Sequence, residues 1–230
     1  FNLLMWLSVL VYAPLTLLTF PLPYPLRYRF ISLWARLQVY LARVLCGIRW
    51  QVEGREHLPK GPAIILAKHQ SAWETLAFQE LFPRQTWVLK RELLWVPFFG
   101  WGLALMKPIA IDRGAGRKAV MQVIEQGKER LEDGIWIVVF PEGTRVMPGQ
   151  RRRYGIGGAA LAVETGYPVV PVAHNAGSFW PKRGFLKRPG TIQVVVGPTI
   201  HTRDKTAEEI IQRTEEWIET TMAEIEAGRD

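Results

Sequence analysis

Apolar and polar positions follow two different patterns along this chain. From residue 54 onward, short apolar runs alternate with longer amphipathic stretches, as in an α/β fold whose strands are joined by helices. Strands are predicted at 63–67, 87–90, 108–111, 135–140, 168–173 and 192–197, and helices at 72–82, 93–105 in part, 114–132, 157–165 and 206–226. Pro171 interrupts one strand run, which predicts an edge strand or a bulge at that point.

The N-terminal part of the chain has a different pattern. Residues 1–26 carry no charged side chain, so they can span or enter a bilayer, and Pro14 favours a kinked or re-entrant helix as much as a straight one. Arg29, Arg36 and Arg43 then recur at every seventh position and form a basic stripe on an otherwise apolar helix. A basic amphipathic helix of this kind binds anionic headgroups. The alternative is a core helix whose arginines face water, but the uncharged neighbouring segment favours the membrane.

Length and charge add two points to this picture. The 230 residues are enough for one sizeable domain, so we divide the chain into residues 1–50, as membrane-anchoring helices, and 51–230, as one mixed-sheet α/β domain flanked by helices. Residues 1–205 hold 27 basic and 13 acidic side chains, a net charge of +14. This excess indicates an anionic partner, namely nucleic acid, a membrane surface or a phosphorylated substrate. A single cysteine excludes an intramolecular disulfide and fits a reducing compartment.

The stretch AIILAKHQSAWETL, residues 63–76, contains the first candidates for chemistry. His69 follows a predicted strand, and Glu74 comes five residues later. On one continuous helix they would point about 140° apart, so they meet only if Glu74 lies in the first turn of a new helix. The carboxylate would then hold one imidazole nitrogen and leave the other as a base. The alternative is that Ser71 and Glu74 form a helix capping box without a catalytic role.

Basic side chains at the ends of later strands are candidates for binding phosphate. In VVFPEGTR, residues 138–145, a strand runs into a Pro-Glu-Gly turn that ends in Arg145. Lys90 and Arg113 follow two other predicted strands. A guanidinium at such a position suits a phosphate, although a solvated basic loop is the alternative for each of the three. The four histidines are scattered without ligand spacing, so no metal site is predicted.

Together these segments resemble the glycerolipid acyltransferase family, most closely the bacterial 1-acyl-glycerol-3-phosphate acyltransferases. The first family block, usually Asn-His, four residues and Asp, is similar to KHQSAWE, and the next three are similar to KPIAIDR, FPEGTR and VVPVA. The blocks occur in the family's order across residues 63–173. Lys68 stands where Asn is common, and Glu74 stands where Asp is common.

The resemblance implies transfer of an acyl chain from acyl-CoA or acyl-carrier protein to the sn-2 hydroxyl of lysophosphatidic acid, which makes phosphatidic acid without a further cofactor. His69 would be the general base, oriented by Glu74. The substrate phosphate would be bound by Arg145, with Lys90 and Arg113 as weaker candidates, and the supporting turn would consist of Glu142, Gly143 and Thr144. Direct transfer is expected, because Cys46 is far in sequence from every block and no serine lies in a Gly-x-Ser-x-Gly turn.

Several alternatives stay open. The aromatic stretch 93–105 would line an acyl tunnel, dip into the bilayer or belong to the core. The acceptor could be another lipid or glycolipid, and a non-catalytic membrane scaffold would account for the N-terminus but not for the family blocks. A nucleic-acid binder is disfavoured, since the uncharged N-terminus has no place in one. We expect the protein at the inner (cytoplasmic) membrane, with its catalytic domain on the cytoplasmic face.

Overall fold

In a computed structural model, residues 1–228 are described, except for the side chain of Arg113. The strands are β1 (Ile48–Glu53), β2 (Ile64–Ala67), β3 (Gln85–Lys90), β4 (Ile109–Ile111), β5 (Trp136–Val139), β6 (Val169–His174) and β7 (Gly190–Val196). The helices are α1 (Asn2–Leu17), α2 (Tyr24–Cys46), α3 (Trp73–Leu81), α4 (Phe99–Ala104), α5 (Arg117–Glu132), α6 (Gly157–Thr165), α7 (Ala176–Phe179) and α8 (Ala207–Ala227).

The strands form one mixed sheet in the order β1-β7-β6-β2-β5-β3-β4. β6, β2, β5, β3 and β4 are parallel, β7 is antiparallel to β6, and β1 is parallel to β7. All six predicted strands and the single mixed sheet are therefore confirmed. β1 was not predicted, although its alternating residues are typical of a half-buried strand, because they follow directly on the basic helix and were interpreted together with it.

The direction of the parallel strands determines at which edge of the sheet a functional site can form. Their carboxyl ends lie at one edge of the sheet, so the segments that follow β2, β5 and β3 meet there. β2 and β5 are buried on both faces, as expected for a sheet covered by helices on each side. One face packs against α2 and α3, and the other packs against α5 and α6. The core thus fixes these strand ends on both sides.

Pro171 does not mark an edge strand. β6 lies between β2 and β7, and its parallel pairing with β2 continues through Pro171, which is opposite Leu66. The irregularity is on the other side, where β6 pairs with β7 only from Val172 onward and resumes at a single bridge between Val169 and Ile200. The missing N–H group of proline thus coincides with a break in the pairing. The bulge half of the prediction is correct, and the edge half is wrong.

The two N-terminal helices pack against each other and against the sheet domain. Ser8 of α1 accepts hydrogen bonds from Trp34 Nε1 and Gln38 Nε2 of α2, each at 3.0 Å. The buried face of α2 includes Val39 and Ala42, which belong to the core that α2 and α3 form with one face of the sheet. None of the helices formed by residues 1–228 combines the length and the apolar character needed to cross a bilayer. The division at residue 50 stays a prediction.

Candidate active site

The imidazole of His69 lies just beyond β2 and is held by an acid. Its Nδ1 is 2.8 Å from Glu74 Oε1, and Glu74 lies in the first turn of α3. The strand-then-helix geometry expected from the sequence is therefore confirmed. Phe140, which follows β5, stacks on the imidazole ring with 4.0 Å between centroids. Nδ1 carries a proton when it donates to the carboxylate, so Nε2 is the nitrogen left to accept one.

Glu74 also closes the start of its helix. Its Oε1 accepts from the backbone N–H groups of Gln70, at 2.9 Å, and Ser71, at 2.7 Å. The reciprocal half of a capping box is missing, because the Ser71 hydroxyl accepts from Trp73 N instead. Burial acts to raise the pKa of this carboxyl, but the hydrogen bonds that it accepts from the His69 ring and the Ser71 N–H lower the pKa below its usual value. Glu74 is therefore a carboxylate at neutral pH.

The Pro-Glu-Gly turn that follows β5 is bonded to the backbone of the His69 segment. Glu142, which is buried, accepts from His69 N at 2.7 Å through Oε2, and the Val146 N–H donates to the His69 carbonyl at 2.7 Å. Gly143 has a φ of +68°, a conformation that glycine adopts without strain. Burial raises the pKa of Glu142 above its usual value, even though Lys68 opposes this shift. The turn thus fixes the backbone that carries the imidazole.

Lys68 lies in a buried ion cluster beside the histidine. Its side chain is almost inaccessible to solvent, and its Nζ is 2.9 Å from Glu142 Oε1 and 2.6 Å from Glu219 Oε1. Tyr154 donates to the same Glu219 oxygen at 2.9 Å. Burial and the two nearby carboxylates raise the pKa of Tyr154, so it stays a donor. The lysine that replaces the common Asn is therefore a cation that joins the His69 segment to the C-terminal helix α8.

His174, at the end of β6, is buried next to this cluster. Its Nε2 is 2.7 Å from the Lys68 carbonyl oxygen, and its Nδ1 accepts from Ala176 N at 3.3 Å. A carbonyl can only accept and an N–H can only donate, so this ring carries its proton on Nε2 and is neutral. Burial lowers its pKa below the usual value, in agreement with that assignment. His174 is thus a packing residue that holds the Lys68 backbone.

A cavity of about 360 Å³ opens next to His69 and is mostly apolar. It lies among α1, α2, α3, β3 and α4. Its lining comprises His69, Arg145, Phe140, Thr75, Leu76, Gln79, Trp87, Val88, Leu89, Leu93, Phe99, Gly102, Leu103, Met106, Val9, Tyr12, Ala13, Thr16, Ile31, Trp34 and Ala35. The site therefore combines a base, a guanidinium and a long apolar wall.

The three basic candidates have different surroundings. Arg145 lines the cavity together with His69, and no carboxylate of residues 1–228 lies within 4 Å of its guanidinium. Lys90 ends β3 as predicted, but its side chain is 53% exposed and pairs with Glu92 at 3.5 Å. The side chain of Arg113 lies outside the described part of the chain. Among the described residues, no group of three or more His, Cys, Asp or Glu side chains could hold a metal ion.

Sequence reasoning missed Glu219 and Tyr154. Glu219 belongs to α8, which we interpreted as an ordinary amphipathic surface helix, and it contacts Lys68 from 151 positions away. One signal was present in the pattern, since Glu219 comes three residues before the apolar Met222 and so lies next to it on the helix surface. Tyr154 follows the basic run at 151–153 and has no comparable signal.

Comparisons with known proteins agree with this arrangement. The structure matches the crystal structure of the 1-acyl-sn-glycerophosphate (LPA) acyltransferase PlsC from Thermotoga maritima with a TM-score of 0.79 and 22% identity, over 98% of this chain and 94% of that one. The fold is thus the mixed α/β fold seen there. A family model described as Acyltransferase matches residues 49–175.

Two curated relatives are similar in sequence. A 1-acyl-sn-glycerol-3-phosphate acyltransferase from Pseudomonas aeruginosa is 50% identical over 98% of this chain and 90% of its own length. The 1-acyl-sn-glycerol-3-phosphate acyltransferase alpha of Mus musculus is 33% identical over 76% of this chain and 63% of its own length. The chain belongs to the acyltransferase family, and the resemblance inferred from the four sequence blocks is confirmed.

Proposed function

We propose that the protein transfers an acyl chain from acyl-CoA or acyl-carrier protein to the sn-2 hydroxyl of lysophosphatidic acid and so makes phosphatidic acid. The names of its relatives support this acceptor and product. The observation that carries the proposal is the His69–Glu74 pair beside an apolar cavity that Arg145 also lines. One cavity thus offers a base, a cation for phosphate and room for an acyl chain.

In this mechanism His69 is the general base. Nδ1 donates to Glu74, and Nε2 removes the proton of the acceptor hydroxyl as its oxygen attacks the thioester carbonyl carbon. The new C–O bond forms a tetrahedral intermediate, whose collapse breaks the C–S bond. The imidazolium then returns its proton to the sulfur, which leaves as a thiol. Glu74 stabilises the positive ring during these steps, because its carboxylate is buried and already ionised.

Arg145 binds the acceptor phosphate in this proposal. Its guanidinium shares the cavity with the imidazole and has no carboxylate partner within 4 Å among the described residues. A planar guanidinium binds a phosphate through two parallel N–H donors. Lys90 remains a weaker candidate because it is exposed and already paired with Glu92. Arg113 remains a candidate on its sequence position alone.

The apolar wall of the cavity accommodates the acyl chain in this proposal. Residues 93–105 contribute Leu93, Phe99, Gly102 and Leu103 to it, while Trp95, Phe98 and Trp101 of the same stretch are exposed. Of the three expectations for this stretch, the exposure of its side chains supports a tunnel wall and a segment that meets the bilayer more than a place in the core. In this proposal the acyl chain enters the cavity from the lipid phase beside these exposed aromatic side chains.

The proposed substrates belong to a membrane, and the N-terminal helices provide a surface for one. α1 exposes a row of large apolar side chains that includes Leu3, Leu7, Leu10 and Val11, and the arginine stripe of α2 is exposed as well. An apolar face next to cations is the composition of an interfacial helix pair. We place these helices in one leaflet, on the cytoplasmic face of the inner membrane.

Turnover with defined substrates tests the proposed reaction. Purified protein is supplied with lysophosphatidic acid and either acyl-CoA or acyl-carrier protein, and the product is identified by mass. His69→Ala should abolish turnover and leave vesicle binding unchanged, whereas His201→Ala, an exposed histidine, should change neither. Near-normal turnover of His69→Ala would overturn the mechanism. Turnover only with a glycolipid acceptor would show that lysophosphatidic acid is not the acceptor, while the proposed mechanism of acyl transfer would be retained.

A further inference from the structure

The connection between α7 and β7 carries two exposed apolar side chains near its middle. Phe185 is 78% exposed and Leu186 is 77% exposed, which makes them the two most exposed large apolar side chains of residues 1–228. They lie at the tip of residues 181–189, here called the Phe-Leu loop. Side chains of this size are rarely left in water in adjacent positions without a partner.

The charges around this tip have one sign. Lys182, Arg183 and Arg188 are all exposed, and no acidic residue occurs in the sequence between Glu164 and Asp204. An apolar tip among cations and without acids complements a surface that is apolar inside and anionic outside. The bilayer with anionic headgroups has this composition.

The loop is fastened to the start of α1. Asn2 Nδ2 donates to the Phe185 carbonyl at 2.8 Å, and Lys187 Nζ donates to Asn2 Oδ1 at 2.9 Å. The Lys187 ammonium also lies 4.9 Å from the centre of the Trp180 ring. Lys187 therefore holds the loop to the start of α1, while the exposed side chains of Arg183 and Arg188 remain available to headgroups. Leu3, the residue after Asn2, is 71% exposed, so the loop tip continues the apolar face of α1.

We propose that the Phe-Leu loop is a second membrane-inserting element, with Phe185 and Leu186 in the lipid phase and Arg183 and Arg188 among anionic headgroups. The inference rests on the membrane association in the proposed function and adds an element outside the N-terminal segment. Lys182 Nζ donates to the carbonyl of Arg145 at 2.6 Å. The loop that contacts the bilayer therefore also supports the turn that carries the proposed phosphate-binding side chain.

A fluorescent probe of polarity at the loop tip tests the insertion. The chain has a single cysteine, so a Cys46→Ala background allows one label at Leu186→Cys. Vesicles of phosphatidylcholine with phosphatidylglycerol should shift the label's emission to the blue, and vesicles of phosphatidylcholine alone should shift it less. Matched labels are placed at Leu10→Cys on the exposed face of α1 and at Met121→Cys on α5, which covers the other face of the sheet.

The three labels separate the possible outcomes. Shifts at positions 186 and 10 without a shift at 121 support the proposal. A shift at position 10 alone overturns the insertion of the Phe-Leu loop, which would then be a surface for a protein partner. Membrane association by α1 would be retained. No shift at either position overturns both membrane contacts. Turnover with substrates in detergent micelles is measured separately, so that failure of the chemistry is recognised on its own.

A pair of variants gives an independent readout. Phe185→Ser with Leu186→Ser should weaken binding to phosphatidylglycerol vesicles by about tenfold or more, because two large apolar side chains no longer enter the lipid. Turnover in micelles should stay unchanged, since neither residue lines the cavity. The control, Met121→Ser with Val163→Ser, removes exposed apolar side chains from α5 and α6 and should leave vesicle binding as it was. Equal losses in the two double variants would overturn the proposal.

Discussion

Lys68 Nζ lies 2.6 Å from Glu219 Oε1, with both side chains buried, and this contact joins the residue before His69 to the C-terminal helix. The lysine also pairs with Glu142, so two carboxylates in the interior share this cation, and Arg151 Nε lies 3.4 Å from the other Glu219 oxygen. Neither carboxylate can be left alone there cheaply, since burial disfavours an unpaired charge. The role of the buried Lys68 is therefore to stabilise the two acids, and this role does not depend on the catalytic step.

Lys68→Asn should accordingly destabilise the fold even though Asn is common in the family at this position. We expect a loss of about 3–5 kcal/mol in the free energy of unfolding, because the Glu142 carboxylate loses its ion pair and Glu219 keeps only the exposed Arg151 at 3.4 Å. The double variant Lys68→Asn with Glu219→Gln should lose less than Lys68→Asn alone. Chemical denaturation of the single and double variants measures the coupling.

An exposed pair of the same length serves as the control for Lys68. Lys107 Nζ and Asp133 Oδ2 are also 2.6 Å apart, but both side chains are substantially exposed. Asp133→Asn should cost no more than about 1 kcal/mol. Equal costs for the buried and the exposed pair would contradict the account of Lys68.

The neutral state of His174 predicts a dependence of stability on pH. Burial lowers its folded-state pKa, so the unfolded chain takes up this proton first as the pH falls below about 6.5. Stability is therefore lost toward acid, with a slope of up to about 1.4 kcal/mol per pH unit for one proton. Melting temperatures between pH 7.5 and 5 should fall more steeply for the parent than for His174→Gln, and His201→Gln should retain the parent's slope.

Two neighbouring carboxyls, those of Glu74 and Glu142, also have shifted pKa values and contribute to the pH dependence of the parent protein's stability. The lowered pKa of Glu74 adds a loss of stability in the same direction, but only as the pH falls below about 4.5. The raised pKa of Glu142 acts in the opposite sense and removes stability as the pH rises through it. The difference between the parent and His174→Gln isolates the histidine. Identical slopes in these two proteins would show that His174 does not titrate on unfolding.

Local features of the fold and the site could be predicted from sequence, and distant ones could not. The pairing of His69 with Glu74 depends on one strand end and one helix start within a few residues, so apolar periodicity gave the condition under which the two side chains meet, and the family blocks favoured their pairing. The burial of β2 and β5 on both faces left continuous apolar runs, which mark strands clearly. β1 lacks such a run because it lies at the edge of the sheet.

The Lys68–Glu219 contact shows why the rest was missed. Its two residues belong to different elements, and only the packing of α8 on β6 brings them together. A lysine next to a histidine and a glutamate on an amphipathic helix are each typical of a solvated surface. Their burial follows from tertiary packing, for which the linear pattern holds no direct signal. The same reason applies to Phe185 and Leu186, which look like core residues in sequence and are exposed in the fold.

Arg145→Ala should lower kcat/KM for acceptors that carry a phosphate much more than for acceptors that do not. Loss of a charged bidentate contact in a partly desolvated site costs roughly 2–5 kcal/mol, or at least about thirtyfold in affinity. The value of kcat/KM is compared for lysophosphatidic acid and monoacylglycerol. Lys90→Ala is the matched control and should have a much smaller effect, because its side chain is exposed. Equal losses on the two acceptors would give Arg145 a structural role.

The cavity predicts which acyl chains are accepted. Leu103 of α4 lines its wall, so Leu103→Trp should reduce the accessible space and shift the preference toward shorter donors. Each methylene that no longer fits loses about 0.8 kcal/mol, roughly fourfold in kcat/KM. The ratio of kcat/KM for a long and a short acyl donor is the measurement. Leu7→Trp, on the exposed side of α1, should leave that ratio unchanged, and an unchanged ratio in both variants would place the acyl chain elsewhere.

The last prediction separates the two roles that Glu74 combines on one oxygen. Oε1 accepts from the His69 ring and from two backbone N–H groups, so the amide oxygen of Glu74→Gln can keep all three hydrogen bonds while the charge is lost. The helix start should therefore survive, but the amide NH2 replaces Oε2, which is buried without a hydrogen-bond partner among the described residues, so we expect a cost of about 1–3 kcal/mol. A base that becomes positive in the transition state needs the charge, so turnover should fall by about two orders of magnitude.

Two further variants complete this test with a thermal melt and a turnover number for each protein. Glu74→Asp keeps the charge on a shorter side chain and should retain part of the activity. Ser71→Ala removes only the bond to Trp73 N, so it should cost about 1 kcal/mol of stability without lowering turnover. If Glu74→Gln instead lowers turnover only as far as it lowers the melting temperature, as Ser71→Ala does, then Glu74 is a helix cap and His69 works without it.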